Sequence, residues 1–236
     1  MSQAEYQSRE VAGRVLAAEF NDVTYTFKES DDDRAPTYGL LPTGEKANRI
    51  FFVGTLTETD DVGEDSEYWQ GRIAGPTGTF VVYAGQYQPG PAAKLRDLDT
   101  PAYVAVVGKP RTYETDDGSI LTSVRPESIT VVDNTTRNQW VADAAEKTLD
   151  RIKSFDNESN EYVRMAKEQY GGDLSSYRDA VVTALESLDI EDSAGSDPSS
   201  EPTVDAEAAE ANADLESTET ESGGTANQTE TPATSP

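Results

Sequence analysis

Neither cysteine nor histidine occurs among the 236 residues of the chain. Disulfides, thiolate chemistry and every zinc site built from Cys and His are thereby excluded. The commonest general base is missing with them. No spacing of acids suggests a carboxylate enzyme either, so the expectation is a binding protein with no cofactor and no metal. Long apolar runs are also absent: no stretch approaches the roughly 20 residues that a membrane helix needs. The opening residues MSQAEYQSRE lack the basic-then-apolar pattern of a secretory signal. A soluble, cytoplasmic protein without membrane contact is expected.

Basic residues are scarce. Asp and Glu number 45 against 19 Lys and Arg, the formal net charge is −26, and no Lys or Arg follows Arg178. The body ahead of that tail is acidic as well. Carboxylates spread over a whole surface suit a halophilic protein in a salt-rich cytoplasm, where molar salt shortens the Debye length to about 3 Å and screens self-repulsion. The alternative is an ordinary acidic protein with an acidic tail. In high salt an acidic pI does not exclude nucleic-acid binding, because stacking then matters more than attraction to phosphate. Hydrophobic residues make up 35%, enough for one modest core plus exposed chain.

Four zones follow from the composition along the chain. Residues 1–47 are a mixed lead segment, read as an extension packing on what comes next. Residues 48–133 are rich in strand signals, and 134–189 read as helices. Residues 190–236 hold Ser, Thr, Glu, Ala and Pro with almost no bulky apolar side chain, a composition that cannot offset ordering entropy and predicts a disordered acidic tail.

The strand zone parses into five runs, at Ile50–Thr57, Tyr68–Ala74, Thr79–Ala84, Ala102–Tyr113 and Ser119–Val124, the last extended by Ser128–Val132 past Pro126. An acidic loop from Glu58 to Glu67 separates the first two. Gly75-Pro76-Thr77-Gly78 is a turn, so the second and third runs form a hairpin. Ala92–Leu98 offers one or two helical turns, and Asp116-Asp117-Gly118 closes a second hairpin. This order matches a five-stranded Greek-key barrel with a helical connection after its third strand, either an OB-fold or another small barrel.

Three blocks then resemble the OB-folds of replication protein A. They are Phe52-Val53-Gly54-Thr55-Leu56, Gly75-Pro76-Thr77-Gly78-Thr79-Phe80, and Tyr103-Val104-Ala105-Val106-Val107-Gly108-Lys109-Pro110-Arg111-Thr112-Tyr113. Gly75 stands where that family usually has Asp. Up to about Phe155 the chain is similar to the archaeal RPA-associated proteins, particularly those of haloarchaea, in phrases such as Arg9-Glu10-Val11-Ala12-Gly13-Arg14 and Tyr83-Ala84-Gly85-Gln86-Tyr87-Gln88-Pro89. The resemblance implies an OB-fold, no catalysis, and a place beside an RPA-like OB-fold subunit on single-stranded DNA, in replication and repair.

An OB-fold binds on its second and third strands and the flanking loops, stacking bases on aromatic rings. Alternation puts Tyr68, Gln70 and Arg72 on one face of the second strand, with Trp69, Gly71 and Ile73 opposite. On the third, Thr79, Val81 and Tyr83 oppose Phe80 and Val82. The candidate contacts are Tyr68, Arg72 and Tyr83, with Trp69 if the register slips by one. Tyr113 occupies the aromatic position of the fourth-strand block, and Arg111 lies two residues before it on the same side. Lys109 and Arg125 are candidates for phosphate. The competing reading is that these aromatics pack the barrel and these cations are merely solvated.

The sequence GLLPTGEK at 39–46 approaches a phosphate-binding loop, but Glu45 separates Gly44 from Lys46 and misplaces the lysine. The paired acids at 60–61 and 116–117 read as solvated turns. Past the barrel, Asp133 or Asn134 can cap a helix whose apolar positions include Trp140, Val141, Ala144, Leu149, Ile152 and Phe155. In RPA trimers the helices after the OB-folds bundle the subunits, so these six are the candidate partner-binding residues; the alternative is that they pack on their own barrel. Two further helices are expected, around Tyr162–Tyr170 and after Asp173.

Overall fold

The computed structural model of the chain describes residues 10–32 and 35–194, with side chains up to 188. The expected disordered tail, 190–236, lies outside the described residues from 195 onward; its first five residues, 190–194, are instead the helical end of a segment that runs to Ala194. Five long strands close into a barrel: β5 (Ile50–Asp61), β6 (Tyr68–Gly75), β7 (Gly78–Gly85), β8 (Ala102–Glu114) and β9 (Ile120–Val131). They are preceded by β1 (Gly13–Arg14), α1 (Ala17–Asn21), β2 (Thr26–Lys28), β3 (Thr37–Leu40) and β4 (Lys46–Ala47), and a helix, α2 (Pro89–Asp97), joins β7 to β8. The barrel order is β5-β6-β7-β9-β8, closed by β8 pairing back on β5. Every neighbour pair is antiparallel except β7 with β9, which meet in parallel at Val82 and Val124. With the helix after the third barrel strand, this is the five-stranded OB-fold.

Period-two patterning decides which side chains fill it. Ile50, Phe52, Leu56, Ile73, Phe80, Val82, Val104, Val106 and Val124 point inward and are fully buried. Phe52 and Phe80 stack at the centre with ring centroids 3.9 Å apart, and Phe20 of α1 adds a third ring 5.5 Å from Phe80. Truncating one of these rings leaves a hole that costs about 3–5 kcal/mol. Gly108, from the fourth-strand block, is required by close packing: a Cβ there would stand 2.5 Å from Val124 Cγ1. Beside it the β8–β9 register skips a residue, because Val107 pairs Ser128 while Gly108 pairs Pro126. That bulge admits Pro126, which has no ladder donor, and leaves Glu127 to bind Arg49.

Around the barrel the chain adds a second sheet, β2-β3-β4, which the sequence reading did not resolve into strands. The near phosphate-loop segment at 39–46 is its β3–turn–β4 corner. The acidic loop after the first barrel strand is also shorter than expected, because β5 runs on to Asp61.

Three helices complete the described chain: α3 (Asn134–Ser154), α4 (Glu161–Tyr170) and α5 (Ser175–Ala194). Asp133 is the cap of α3, its Oδ1 accepting the Thr136 N–H at 2.7 Å. The six candidate partner residues on this helix are covered by the chain itself, which corrects that expectation. Trp140, Val141 and Ala144 are buried in the barrel core cluster, and Leu149 packs against it. The Trp140 indole N–H donates to the Phe51 carbonyl of β5 at 3.2 Å. Ile152 and Phe155 belong to a second cluster with Leu40, Val163, Ala166, Leu174 and Tyr177, drawn from the added sheet and the later helices. An apolar stripe of this size is satisfied by the first complementary surface available, and the barrel and added sheet supply it.

One buried polar knot ties the layers together. Arg151 of α3 donates to Glu19 Oε2 of α1 at 2.6 Å, to Thr43 Oγ1 at 2.9 Å and to the Arg14 carbonyl at 3.2 Å. Thr43 also donates to Glu19. Glu19 is 1% exposed, so removing Arg151 strands it in the interior, whereas Arg151 has a second, more exposed partner in Glu45 at 3.6 Å.

Candidate nucleic-acid interface

The outward faces of β6 and β7 form the floor of an open groove of about 690 Å³. Tyr68, Gln70 and Arg72 project from β6, and Thr79, Val81 and Tyr83 from β7. Register explains the grouping: Gln70 pairs with Tyr83, and Arg72 with Val81. Tyr68 and Tyr83 stack with centroids 5.7 Å apart and planes 12° from parallel. Gln70 Nε2 donates to the Tyr83 hydroxyl at 2.7 Å, which fixes that ring. Asp61 Oδ1 accepts the backbone N–H of Tyr68 at 3.0 Å and of Gly63 at 3.1 Å. Those two donors hold the Asp61 carboxyl below the usual carboxylate range, and they set where β6 begins. Gly85 lies opposite Tyr68; a Cβ there would stand 2.8 Å from Tyr68 Cδ2, so the ring can lie flat only over glycine.

The wall of the groove is the β8–β9 hairpin. Tyr113 pairs with Leu121, Arg111 with Ser123 and Lys109 with Arg125, so these six share one face of the ribbon. Tyr113 is 65% exposed. The turn closing the hairpin is built on Asp117, which Thr115 and the backbone N–H of Ser119 hold below the usual carboxylate range. A smaller recess continues the groove past Tyr68, Tyr83 and Arg111 to Tyr87 and Arg125.

Of the residues proposed from sequence, Tyr68, Arg72, Tyr83, Arg111 and Tyr113 line the main groove and Arg125 its continuation. Trp69 does not join them. It packs against the core, its indole N–H buried without a hydrogen-bond partner among the described residues, because the register is the one that alternation predicts. Other groove residues were not singled out, Gln70, Tyr87 and Asn21 among them. Gln70 could have been, since it shares the face of Tyr68 and Arg72. Tyr87, 82% exposed, carried a weaker signal as a lone ring between polar neighbours. Asn21 carried none: α1 brings it to the groove mouth from 58 residues away, where its amide donates to the Thr79 carbonyl at 3.1 Å.

Charge separates this strip from the rest of the molecule. Among the described residues no Asp or Glu lines the groove or its continuation, in a chain with 45 such residues. Arg72 is partly matched by its cross-strand partner Glu58 on β5, 3.5 Å away on the same face. Among the described residues neither Arg111 nor Arg125 forms an ion pair. Another pocket, of about 550 Å³, is by contrast of mixed charge, lined by Glu10, Glu45 and Asp150 as well as Lys46, Lys147 and Arg151.

No protein-family model matches the chain, and no curated protein does. Solved structures do resemble it. The mitochondrial single-stranded DNA binding protein Rim1 from S. cerevisiae is 23% identical, with a TM-score of 0.29, over 37% of this chain and 95% of that one. The second single-stranded DNA binding protein (SSBb) of Mycobacterium smegmatis is 20% identical, with a TM-score of 0.31, over 36% and 86%. An OBody, NL8, bound to hen egg-white lysozyme is 13% identical, with a TM-score of 0.32, over 37% and 97%. Scores this low leave the strand order and the groove to stand by themselves. Among the described residues no helix is long and apolar enough to cross a membrane.

Proposed function

We propose that this chain is a non-enzymatic single-stranded DNA-binding or accessory subunit of an RPA-like complex, serving DNA replication and repair in a salt-rich cytoplasm. One observation carries the reading: the strip from Tyr113 across Tyr83 and Tyr68 is lined by rings and arginines and, among the described residues, by no carboxylate, on a protein whose net charge is −26. Unpaired bases offer a flat face to each ring, and stacking contributes about 1–3 kcal/mol per base. Molar salt leaves that contribution in place while it weakens attraction to phosphate. Duplex DNA hides its base faces, so the same strip favours single strands.

Membership of an RPA-like complex is supported by the three sequence blocks. With the α3 residues buried, Val182 and Leu185 on α5, 53% and 41% exposed, are where a partner subunit would find apolar surface. That patch favours a second reading, a protein-interaction module that holds an RPA partner without touching DNA. Fluorescence anisotropy with labelled oligo-dT separates the two, at about 0.15 M and about 1 M KCl. Saturable binding that persists in the higher salt, and that Tyr68→Ala with Tyr83→Ala weakens, is expected. A folded chain that binds at neither salt would be the interaction module instead.

A further inference from the structure

A second recess, of about 360 Å³, lies on the other side of Arg111, between the β8–β9 hairpin and the added sheet. Lys109, Arg111 and Arg125 border it together with Thr26, Thr37 and Asn48, and among the described residues no acid lines it. Lys109 and Arg125 are direct cross-strand partners. Like charges set opposite one another on neighbouring strands repel and destabilise the pair. Among the described residues none of these three cations forms an ion pair. Elsewhere on the molecule several cations are matched, Arg49 with Glu127, Lys46 with Glu29, and Arg96 with Glu67 and Asp97, while Lys94, Lys147, Arg164 and Arg178 stand apart from one another without an ion pair among the described residues. A repulsive arrangement left unrelieved where acid is so abundant fits a counter-charge that comes from outside.

Arg111 borders this recess, the ring-lined groove and its continuation alike. Resting on the reading above, we propose that the strand leaving the rings is carried past Arg111 and over the Lys109–Arg125 pair into the recess, held there by its phosphates. The added sheet then forms the far bank of the track. The bases need no rings along this stretch, and among the described residues the recess offers none; the contacts are cationic and polar, so this part of the footprint is sequence-independent and salt-sensitive. The protein thereby covers a longer stretch of DNA than its barrel face alone.

The test uses the full chain as wild type, Lys109→Gln and Lys109→Arg, with labelled oligo-dT of about 4 and about 16 nucleotides, the span of OB-fold site sizes. Affinity is measured against KCl concentration. On the long oligonucleotide, Lys109→Gln should flatten the slope of log K against log salt by about 0.7, the amount for one phosphate contact on a single strand. Lys109→Arg should restore it. On the short oligonucleotide, which the rings alone hold, the slope should not change. Relieving a like-charge pair should also leave the melting temperature level or higher, which loss of a structural contact would not. An equal change at both lengths, or no change on the long one, overturns the phosphate track while the ring groove stands. Failure of wild type to bind either length overturns the DNA-binding reading, and the track with it.

Discussion

Replacing Tyr113 with alanine separates binding from stability, because the ring that should meet a base supports little else. It is 65% exposed and sits across the hairpin from Leu121, itself 58% exposed. Little apolar area returns to water on truncation, so the variant should unfold within about 0.5 kcal/mol of wild type. A lost stack removes about 1–3 kcal/mol of binding, and at 1.4 kcal/mol per tenfold that is roughly a 5- to 150-fold rise in Kd. The floor of the groove should behave differently. Tyr68 and Tyr83 stack on each other and Gln70 holds the Tyr83 hydroxyl, so truncating one ring loosens the other, and their double variant should lose less than the sum. Tyr113 belongs to another strand pair and should add to either. Anisotropy of labelled oligo-dT in about 1 M KCl is the decisive assay, since screening there reaches down to about 3 Å. Undiminished affinity of folded Tyr113→Ala in that salt would refute the stacking argument, and so would a loss that appears only at low salt.

Gly85→Ala should tilt Tyr68 off the floor, because the new Cβ would meet the ring at 2.8 Å; oligo-dT affinity should fall several-fold by anisotropy. Trp140→Ala should cost about 3–5 kcal/mol of stability, seen as a lower urea midpoint. Were Trp140 a partner contact on a free face, the midpoint would hardly move. Arg151→Gln should leave the buried Glu19 carboxylate without a counter-charge and lower stability by about 3–5 kcal/mol in the same assay. Glu29 is held below the usual carboxylate range by its hydrogen bonds to Lys46 and then Tyr162. Its contribution is therefore complete above the unfolded-state value near 4.3 and is lost as pH falls through the lower folded-state value. The gap in urea midpoint between wild type and Glu29→Gln should hold from neutral pH to about 5 and close on further acidification; a gap that widens in acid contradicts the assignment.

The barrel and the outward face of its second and third strands were legible because half-buried strands write their two sides in alternate residues. Tyr68, Arg72 and Tyr83 could be separated from Ile73, Phe80 and Val82 on that basis alone, and the hairpin turn at 116–118 placed Tyr113 and Arg111 beside them. The helix pattern at Trp140 to Phe155 was read correctly as one apolar stripe. What covers such a stripe is a tertiary fact, which periodicity does not carry. The added sheet escaped notice because its strands are two to four residues long, shorter than a period-two signal needs. The Arg151–Glu19 pair spans 132 residues and has no local signature at all. Asn21 reaches the groove for the same kind of reason.

On the proposed reading, and where salt is low enough for charge to act at a distance, a surface crowded with carboxylates repels a polyanion. The strip that no described carboxylate lines is then a lane in which that repulsion is relaxed, so the acid elsewhere works as a fence. Such a molecule need not grip its ligand hard to orient it. Misplaced encounters are turned away by the surroundings, and a few rings and arginines suffice to hold the one alignment left open. Neutralising acids at the edge of the lane would loosen orientation even as it strengthened overall attraction.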